Sequence, residues 1–284
     1  MNFADQLVEQ IKKKNSVVCV GLDPVFEKLP SQLQEMPEHD AFFEFNKQII
    51  DATAEHAVIV KPQLAFYEAL GSKGIEAFEK TVAYAKSKNL LVLADAKRND
   101  IGSTAQAYAQ AFFQTFEVDA LTVNAYLGLD GIKPFLEHCI KDKGIFILVK
   151  TSNPSSVDFQ DLKSENGKPF YERMAENVAK WGGVCIGESG YSSVGAVVGA
   201  TFPEQAHHLR RILKNSFFLV PGFGAQGGTA QSVKPCFNED GLGAIVNSSR
   251  EVIYAFAKQK RDADFANAAG EAAEKMKDEI NAVF

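Results

Sequence analysis

The chain has 284 residues, 46% of them apolar and 23% charged, with a formal net charge of −6 and a pI near 5.5. That acidity excludes a nucleic-acid surface as the main business, and neither a continuous apolar stretch of about 18 residues nor a signal-peptide core is present, which excludes a membrane span. The four cysteines, Cys19, Cys139, Cys185 and Cys236, lack C-x-x-C spacing, so buried thiols in a reducing cytoplasmic setting are expected, not a metal site or disulfides.

In chain order, Phe3, Leu7 and Ile11 set an amphipathic stripe over Asn2 to Lys14, the pattern of a helix. Its closing run Lys12-Lys13-Lys14 suits a helix C-terminus better than an anion site. Val17 to Leu22 reads as a first buried strand, ending at Asp23-Pro24. A loop with Pro30 and Pro37 leads to a helical stretch from about Asp40 to Glu55, and Ala57 to Val60 forms a second strand that stops at Lys61. Helical sequence split at Gly71 and Gly74 runs on to Lys88, and a third strand begins at Leu90.

The third strand carries the densest chemistry. Leu90-Leu-Val-Leu-Ala94 runs directly into Asp95-Ala-Lys97-Arg-Asn-Asp100. Strand alternation places Asp95 and Lys97 on one face at its C-terminal end, with Asp100 close enough in the following loop to join them. Unlike charges at the end of a buried strand cost desolvation. Taken alone, the stretch fits a strand-capping salt bridge as well as it fits an active site.

Beyond it, Ser103 to Phe116 reads as helix, Asp119 to Asn124 as a fourth strand, and Gly144 to Lys150 as a fifth that empties into Thr151-Ser-Asn-Pro-Ser-Ser156. Phe170 to Trp181 is helical and Gly183-Val-Cys-Ile186 is the expected sixth strand. A helix from Phe202 to Leu213 precedes the seventh, Phe217 to Val220, which ends in Pro221-Gly-Phe-Gly-Ala-Gln226-Gly-Gly. The eighth, Gly243 to Val246, ends in Asn247-Ser-Ser-Arg250, and a helical region closes the chain. Short, doubly buried strands alternating with helices, eight times and without a linker, are the count of a (β/α)8 TIM barrel, an α/β fold. The whole chain, 1–284, is expected to be one such domain with helices at both ends. An open doubly wound sheet could hold such units, but eight in one uninterrupted chain of this size favour the barrel, and the first βα turn lacks the G-x-G-x-x-G of a dinucleotide site.

In such a barrel the C-terminal strand ends converge on one mouth. That collects Asp23, Lys61, Asp95, Lys97, Asp100, Asn124, Ser152, the run Pro221 to Gln226, and Arg250. The five histidines, at 39, 56, 138, 207 and 208, end no strand, so neither a metal set nor a Ser-His-Asp device is expected. The glycine-rich turn after the seventh strand, paired with Arg250 after the eighth, is the usual phosphate position of these barrels, with backbone N–H groups facing the anion. A phosphate ester is therefore the expected ligand.

These blocks resemble a known family. Asp95-Ala-Lys97-Arg-Asn-Asp100-Ile101 is similar to the D-x-K-x-x-D-I signature of the orotidine 5′-phosphate decarboxylases. Val60 to Glu68, Thr151 to Pro154 and Pro221 to Gly228 are similar to other blocks of that family's longer bacterial branch. Ser249 stands where many members have Gly, and Gly102 where Pro is frequent. The resemblance implies cofactor-independent, metal-free decarboxylation of orotidine 5′-monophosphate to uridine 5′-monophosphate, the last step of de novo pyrimidine nucleotide synthesis. It implies Lys97 as proton donor to C6, Asp95 beside the substrate carboxylate, Lys61 orienting Asp95 and the ribose, and Asp23 on a ribose hydroxyl. Ser152 and Gln226 would contact the base and the phosphate side, and Arg250 the phosphate. Asp100 and Thr104 would cross the interface of a homodimer with shared active sites. Three other readings stay open: a Mg²⁺-assisted sugar-phosphate barrel, a Schiff-base aldolase using Lys61 or Lys97, and a non-catalytic nucleotide-binding barrel.

Overall fold

A computed structural model describes residues 1–224 and 227–284. Its strands are short because all but β6 are apolar runs cut off by a charge, an amide or a proline. They are β1 Val18–Leu22, β2 Ala57–Pro62, β3 Leu91–Arg98, β4 Ala120–Val123, β5 Gly144–Lys150, β6 Ser192–Val198, β7 Ser216–Pro221 and β8 Ala244–Ser248. All pair in parallel with their sequence neighbours, and β8 pairs with β1, closing the barrel in the order β1 to β8. The expected (β/α)8 TIM barrel is the observed fold.

The helices form the outer layer: α1 Phe3–Lys14, α2 Glu38–Thr53, α3 Leu64–Glu68, α4 Gly71–Ser87, α5 Gly102–Gln110, α6 Leu129–Cys139, α7 Val157–Gln160, α8 Phe170–Gly182, α9 Pro203–Ile212, α10 Ala230–Val233, α11 Arg250–Ile253, α12 Ala255–Gln259 and α13 Phe265–Asn281. The helix α1 starts where the Asn2 side chain accepts the Asp5 N–H at 2.9 Å, and it ends with Asn15 in the left-handed region. Both are ordinary helix-end devices. Its lysines do occupy the last turn, and Lys14 donates to the carbonyls of Ala54 and Ala57 at 2.9 and 2.8 Å. Phe3 meets Phe146 of β5 edge-on at 6.1 Å between centroids, so α1 packs against the strands.

Two elements depart from the sequence reading. Gly183-Val-Cys-Ile186 is not the sixth strand: Gly183–Cys185 is a 3-10 turn, and Val184 is 72% exposed. The strand is Ser192-Ser-Val-Gly-Ala-Val-Val198, buried along its whole length. Its composition follows from its neighbours. A Cβ on Gly195 would lie 2.6 Å from the Phe146 ring and 2.7 Å from the Phe217 carbonyl, so β6 must be small where β5 and β7 are bulky. The Ser192 hydroxyl is satisfied in place, donating to the Gly182 carbonyl at 2.8 Å and accepting the Val194 N–H at 3.0 Å.

The second is α6, in a stretch to which the sequence reading gives no element; Pro134 lies inside it, where a proline normally breaks a helix. Burial of Ile132, Phe135, Leu136 and Cys139 on one face holds it together. All four cysteines are buried and unpaired. No helix among the described residues is long and apolar enough to cross a membrane.

Candidate active site

The mouth of the barrel holds a cavity of about 460 Å³ lined by strand ends and the loops that follow them. Asp23, Lys61, Asp95, Lys97, Ser152, Pro221 and Arg250 all face it. Asp100 and Thr104 do not line it. Asp100 takes no part in its own barrel's cluster, contrary to the expectation from its place in the loop. Its Oδ1 instead accepts the neighbouring Ile101 N–H at 2.8 Å, and Thr104 is exposed in the first turn of α5. Asn124 is also turned aside, accepting the Tyr126 N–H at 3.0 Å. Gln226 lies outside the described residues.

Asp95 is the centre of the cavity's charge. Its Oδ2 accepts from Lys61 Nζ at 3.0 Å and from Gln63 Nε2 at 3.0 Å. Its Oδ1 accepts from Lys97 Nζ at 2.5 Å and from the Thr122 hydroxyl at 2.8 Å. Two donors per oxygen use the carboxylate's full accepting capacity. Burial would push the Asp95 carboxyl up, but the ammonium groups of Lys61 and Lys97 overcome it and hold the group well below the usual carboxylate range. Burial would likewise pull Lys61 down, but Asp95 and Asp23 reverse this and raise it. Lys61 is 4% exposed, and Asp23 Oδ1 stands 3.9 Å from its Nζ. That Asp23 oxygen is buried with no hydrogen-bond donor.

Asp95 and Lys97 do meet, but not by plain strand alternation. Between Ala94 and Arg98, β3 advances four residues while β4 advances from Leu121 to Val123. The surplus is a bulge, a device that re-aims a side chain. Lys97 takes a left-handed φ of 49° within it. Next to it the Arg98 guanidinium pairs with Glu68 and lies over the rings of Tyr108 and Phe112 at 5.2 and 5.5 Å, which anchors the end of the strand.

The far wall is the β5 loop. Lys150, fully buried, donates to Asp161 at 2.7 Å and lies 4.6 Å from the Phe202 ring centre. Gln160 ties the loop to its start, accepting the Thr151 N–H at 2.9 Å and donating to the Thr151 hydroxyl at 2.7 Å. This presents Ser152 and Asn153 to the cavity. Beneath the cluster, burial pushes the Cys19 thiol up to about 12, so it stays protonated and is no nucleophile.

The phosphate end differs in detail from the expectation of open backbone donors. Gly224, Gly227 and Gly228 spend their N–H groups closing the loop, on the carbonyls of Gly228, Gly224 and Gly222 at 2.9, 2.8 and 3.0 Å. Arg250, exposed at the start of α11, makes no ion pair among the described residues. Its guanidinium and Ser249 therefore dominate that end of the cavity.

Gln63, Thr122, Thr151, Asn153, Gln160 and Asn247 also line the cavity and were not among the sequence candidates. Gln63 lay within a quoted block, two residues after Lys61. The same-face periodicity of a strand was its available signal.

A closed parallel barrel whose mouth sets the buried Lys61–Asp95 pair and the half-exposed Lys97 across from a lone arginine has the build of a barrel enzyme. Residues 16–264 match the model of the orotidine 5′-phosphate decarboxylase / HUMPS family, and the chain belongs to that family. It is 48% identical to an orotidine 5′-phosphate decarboxylase of Caldicellulosiruptor bescii over 99% of each chain, and 44% identical to one of Clostridium perfringens over 98% of each. It superposes on the structure of Leishmania donovani OMP decarboxylase with a TM-score of 0.82, at 33% identity over 100% of this chain and 98% of that one.

Proposed function

We propose that this chain decarboxylates orotidine 5′-monophosphate to uridine 5′-monophosphate and CO₂ without a cofactor. The observation that carries the reading is the saturated Asp95, held ionised by Lys61 and Lys97 in the cavity at the barrel mouth. In the proposed step the bond from C6 to the carboxylate carbon breaks and its electron pair stays on C6. The Lys97 ammonium supplies the proton that quenches it, and the neutral amine is reprotonated from solvent. A carbanion at C6 cannot delocalise into the ring, so a fixed ammonium beside it is the main electrostatic help available.

Asp95 contributes as a fixed negative charge beside the departing carboxylate. Two like charges about 4 Å apart repel by roughly 4 kcal/mol at an effective dielectric near 20, worth about a thousandfold in rate if relieved wholly in the transition state. The rest falls to Lys97 and to binding energy from the phosphate. Asp23, which lines the cavity, would accept a ribose hydroxyl, Lys61 would orient Asp95 and the ribose, and Ser152 and Gln226 would contact base and phosphate side. Arg250 would grip the phosphate.

Asp100 and Thr104 would serve the partner in a homodimer. Their position outside their own cavity supports this, as do the exposed apolar side chains of Ile101, Leu127 and Leu129 on packed α5 and α6 and the loops before them. Four buried free thiols suit a reducing cytoplasm. The Mg²⁺-assisted alternative is disfavoured because Asp95 has no lone pair left to give a metal. Purified protein mixed with orotidine 5′-monophosphate should lose the substrate absorbance at an EDTA-indifferent rate. Tight uridine 5′-monophosphate binding with no such loss would instead favour a binding barrel, and borohydride trapping on a sugar phosphate a Schiff-base aldolase.

A further inference from the structure

The bulge in β3 leaves two backbone donors without a ladder partner, and a single side chain takes both. The Thr122 hydroxyl accepts the Ala96 N–H and the Lys97 N–H, each at 3.0 Å, and donates to Asp95 Oδ1 at 2.8 Å. A hydroxyl has two lone pairs and one proton. With both lone pairs occupied by N–H donors, its proton can only point at Asp95. Thr122 is 1% exposed, so water cannot substitute for any of the three bonds.

We propose that Thr122 is the positioning residue of this site: through one oxygen it fixes the backbone turn that aims Lys97 and the carboxylate that Lys97 faces. The inference rests on the decarboxylase reading and deepens it. A left-handed lysine costs roughly 1–2 kcal/mol and persists only where its surroundings impose it. The two N–H bonds to Thr122 impose it here. Thr122 touches neither the phosphate end nor the β5 loop, so its loss should be felt in the chemical step, where Lys97 must meet charge as it develops, and hardly in nucleotide binding.

The test compares Thr122→Val, Thr122→Ser and wild type. Valine has nearly the same shape and removes all three bonds; serine keeps the hydroxyl. We expect Thr122→Val to lower kcat about a hundredfold, the usual scale for losing one preorganised donor, with KM changed less than about threefold. Thr122→Ser should restore kcat to within about fivefold of wild type. An active wild type whose Thr122→Val variant keeps its kcat overturns the inference alone, as does an equal fall in Val and Ser. A wild type that does not decarboxylate overturns the functional reading and the inference with it. Should Thr122→Val not give a cooperative melt, Thr122→Cys carries the test: its weaker hydrogen bonds should lower kcat at least tenfold at near-native KM, and an unchanged kcat overturns the role.

Discussion

Ser249 fills the space beside Gly21 across the β1–β8 seam: a Cβ on Gly21 would stand 2.8 Å from the Ser249 Cβ and 3.2 Å from Asn247 Oδ1. Ser249 is accommodated because its strand neighbour has no side chain. Gly21→Ala should therefore destabilise the protein by about 1–3 kcal/mol, the scale of core overpacking, and raise KM by displacing Ser249 at the phosphate end. Gly21→Ala/Ser249→Gly should recover most of both, since the collision is with the serine side chain. Melting temperatures and KM of the three variants decide it; additive losses would sink the account.

Lys97 is half-exposed while its ammonium reaches Asp95 at 2.5 Å, so its removal leaves the fold intact. Lys97→Ala should lower turnover at least about ten-thousandfold, the upper end for a general acid, while uridine 5′-monophosphate still binds by calorimetry. Retained decarboxylation would end the proposed proton transfer.

Arg250 is exposed and packs into no core; in the proposed complex it would contribute a charge-assisted grip. Losing such bonds costs about 2–3 kcal/mol, so Arg250→Ala should raise KM roughly thirty- to two-hundredfold. The melting temperature of the free protein should stay within a degree or two. A variant that unfolds would show that the arginine holds the barrel instead.

Lys150 and Asp161 clamp the β5 loop from inside the protein. Asp161→Ala leaves the Lys150 ammonium buried with only the Ser156 hydroxyl at 3.3 Å and aromatic faces. Breaking such a pair costs about 3 kcal/mol or more. Denaturant unfolding should show that loss, and KM should rise as Ser152 and Asn153 lose their frame. Unchanged stability would mean the lysine finds another partner.

The Asp95–Lys61 pair makes the pH dependence calculable in sign. A depressed carboxyl adds stability above its unfolded value, about 3.9, and loses it as pH falls toward the folded value. A raised lysine adds stability below its unfolded value, about 10.4, and loses it as pH climbs toward the folded one. Between roughly pH 5 and 9 both stay ionised, and the pair's contribution is flat. Asp95→Asn should be less stable than wild type at neutral pH, with the gap narrowing below about pH 4. A gap independent of pH down to 2 would contradict the depressed carboxyl.

Most strands and their terminal charges were legible because a buried parallel strand is a local pattern, and a charge at its end is visible without knowing what surrounds it. Asp23, Lys61, Asp95, Lys97, Ser152 and Arg250 were found that way. β6 was not, because Ser192 to Val198 owes its small residues to Phe146 and Phe217 on strands far away in sequence, while Val184-Cys-Ile186 imitated a strand locally. Thr122 lay inside a correctly read strand, yet its meaning depends on a bulge in β3, and register between strands is invisible in either one alone. Asp100 stands outside its own cavity because nearness along the chain does not fix which way a loop turns.

The pairing of β8 with β1 has one more consequence. Asp23 follows the first strand of the barrel and Arg250 the last, so a nucleotide held by both would straddle the suture between β1 and β8. Occupancy then works as a buckle on the barrel, adding RT ln(1 + [L]/Kd), about 2.7 kcal/mol at a hundredfold excess over Kd. The β1–β8 seam should therefore open less often when nucleotide is bound.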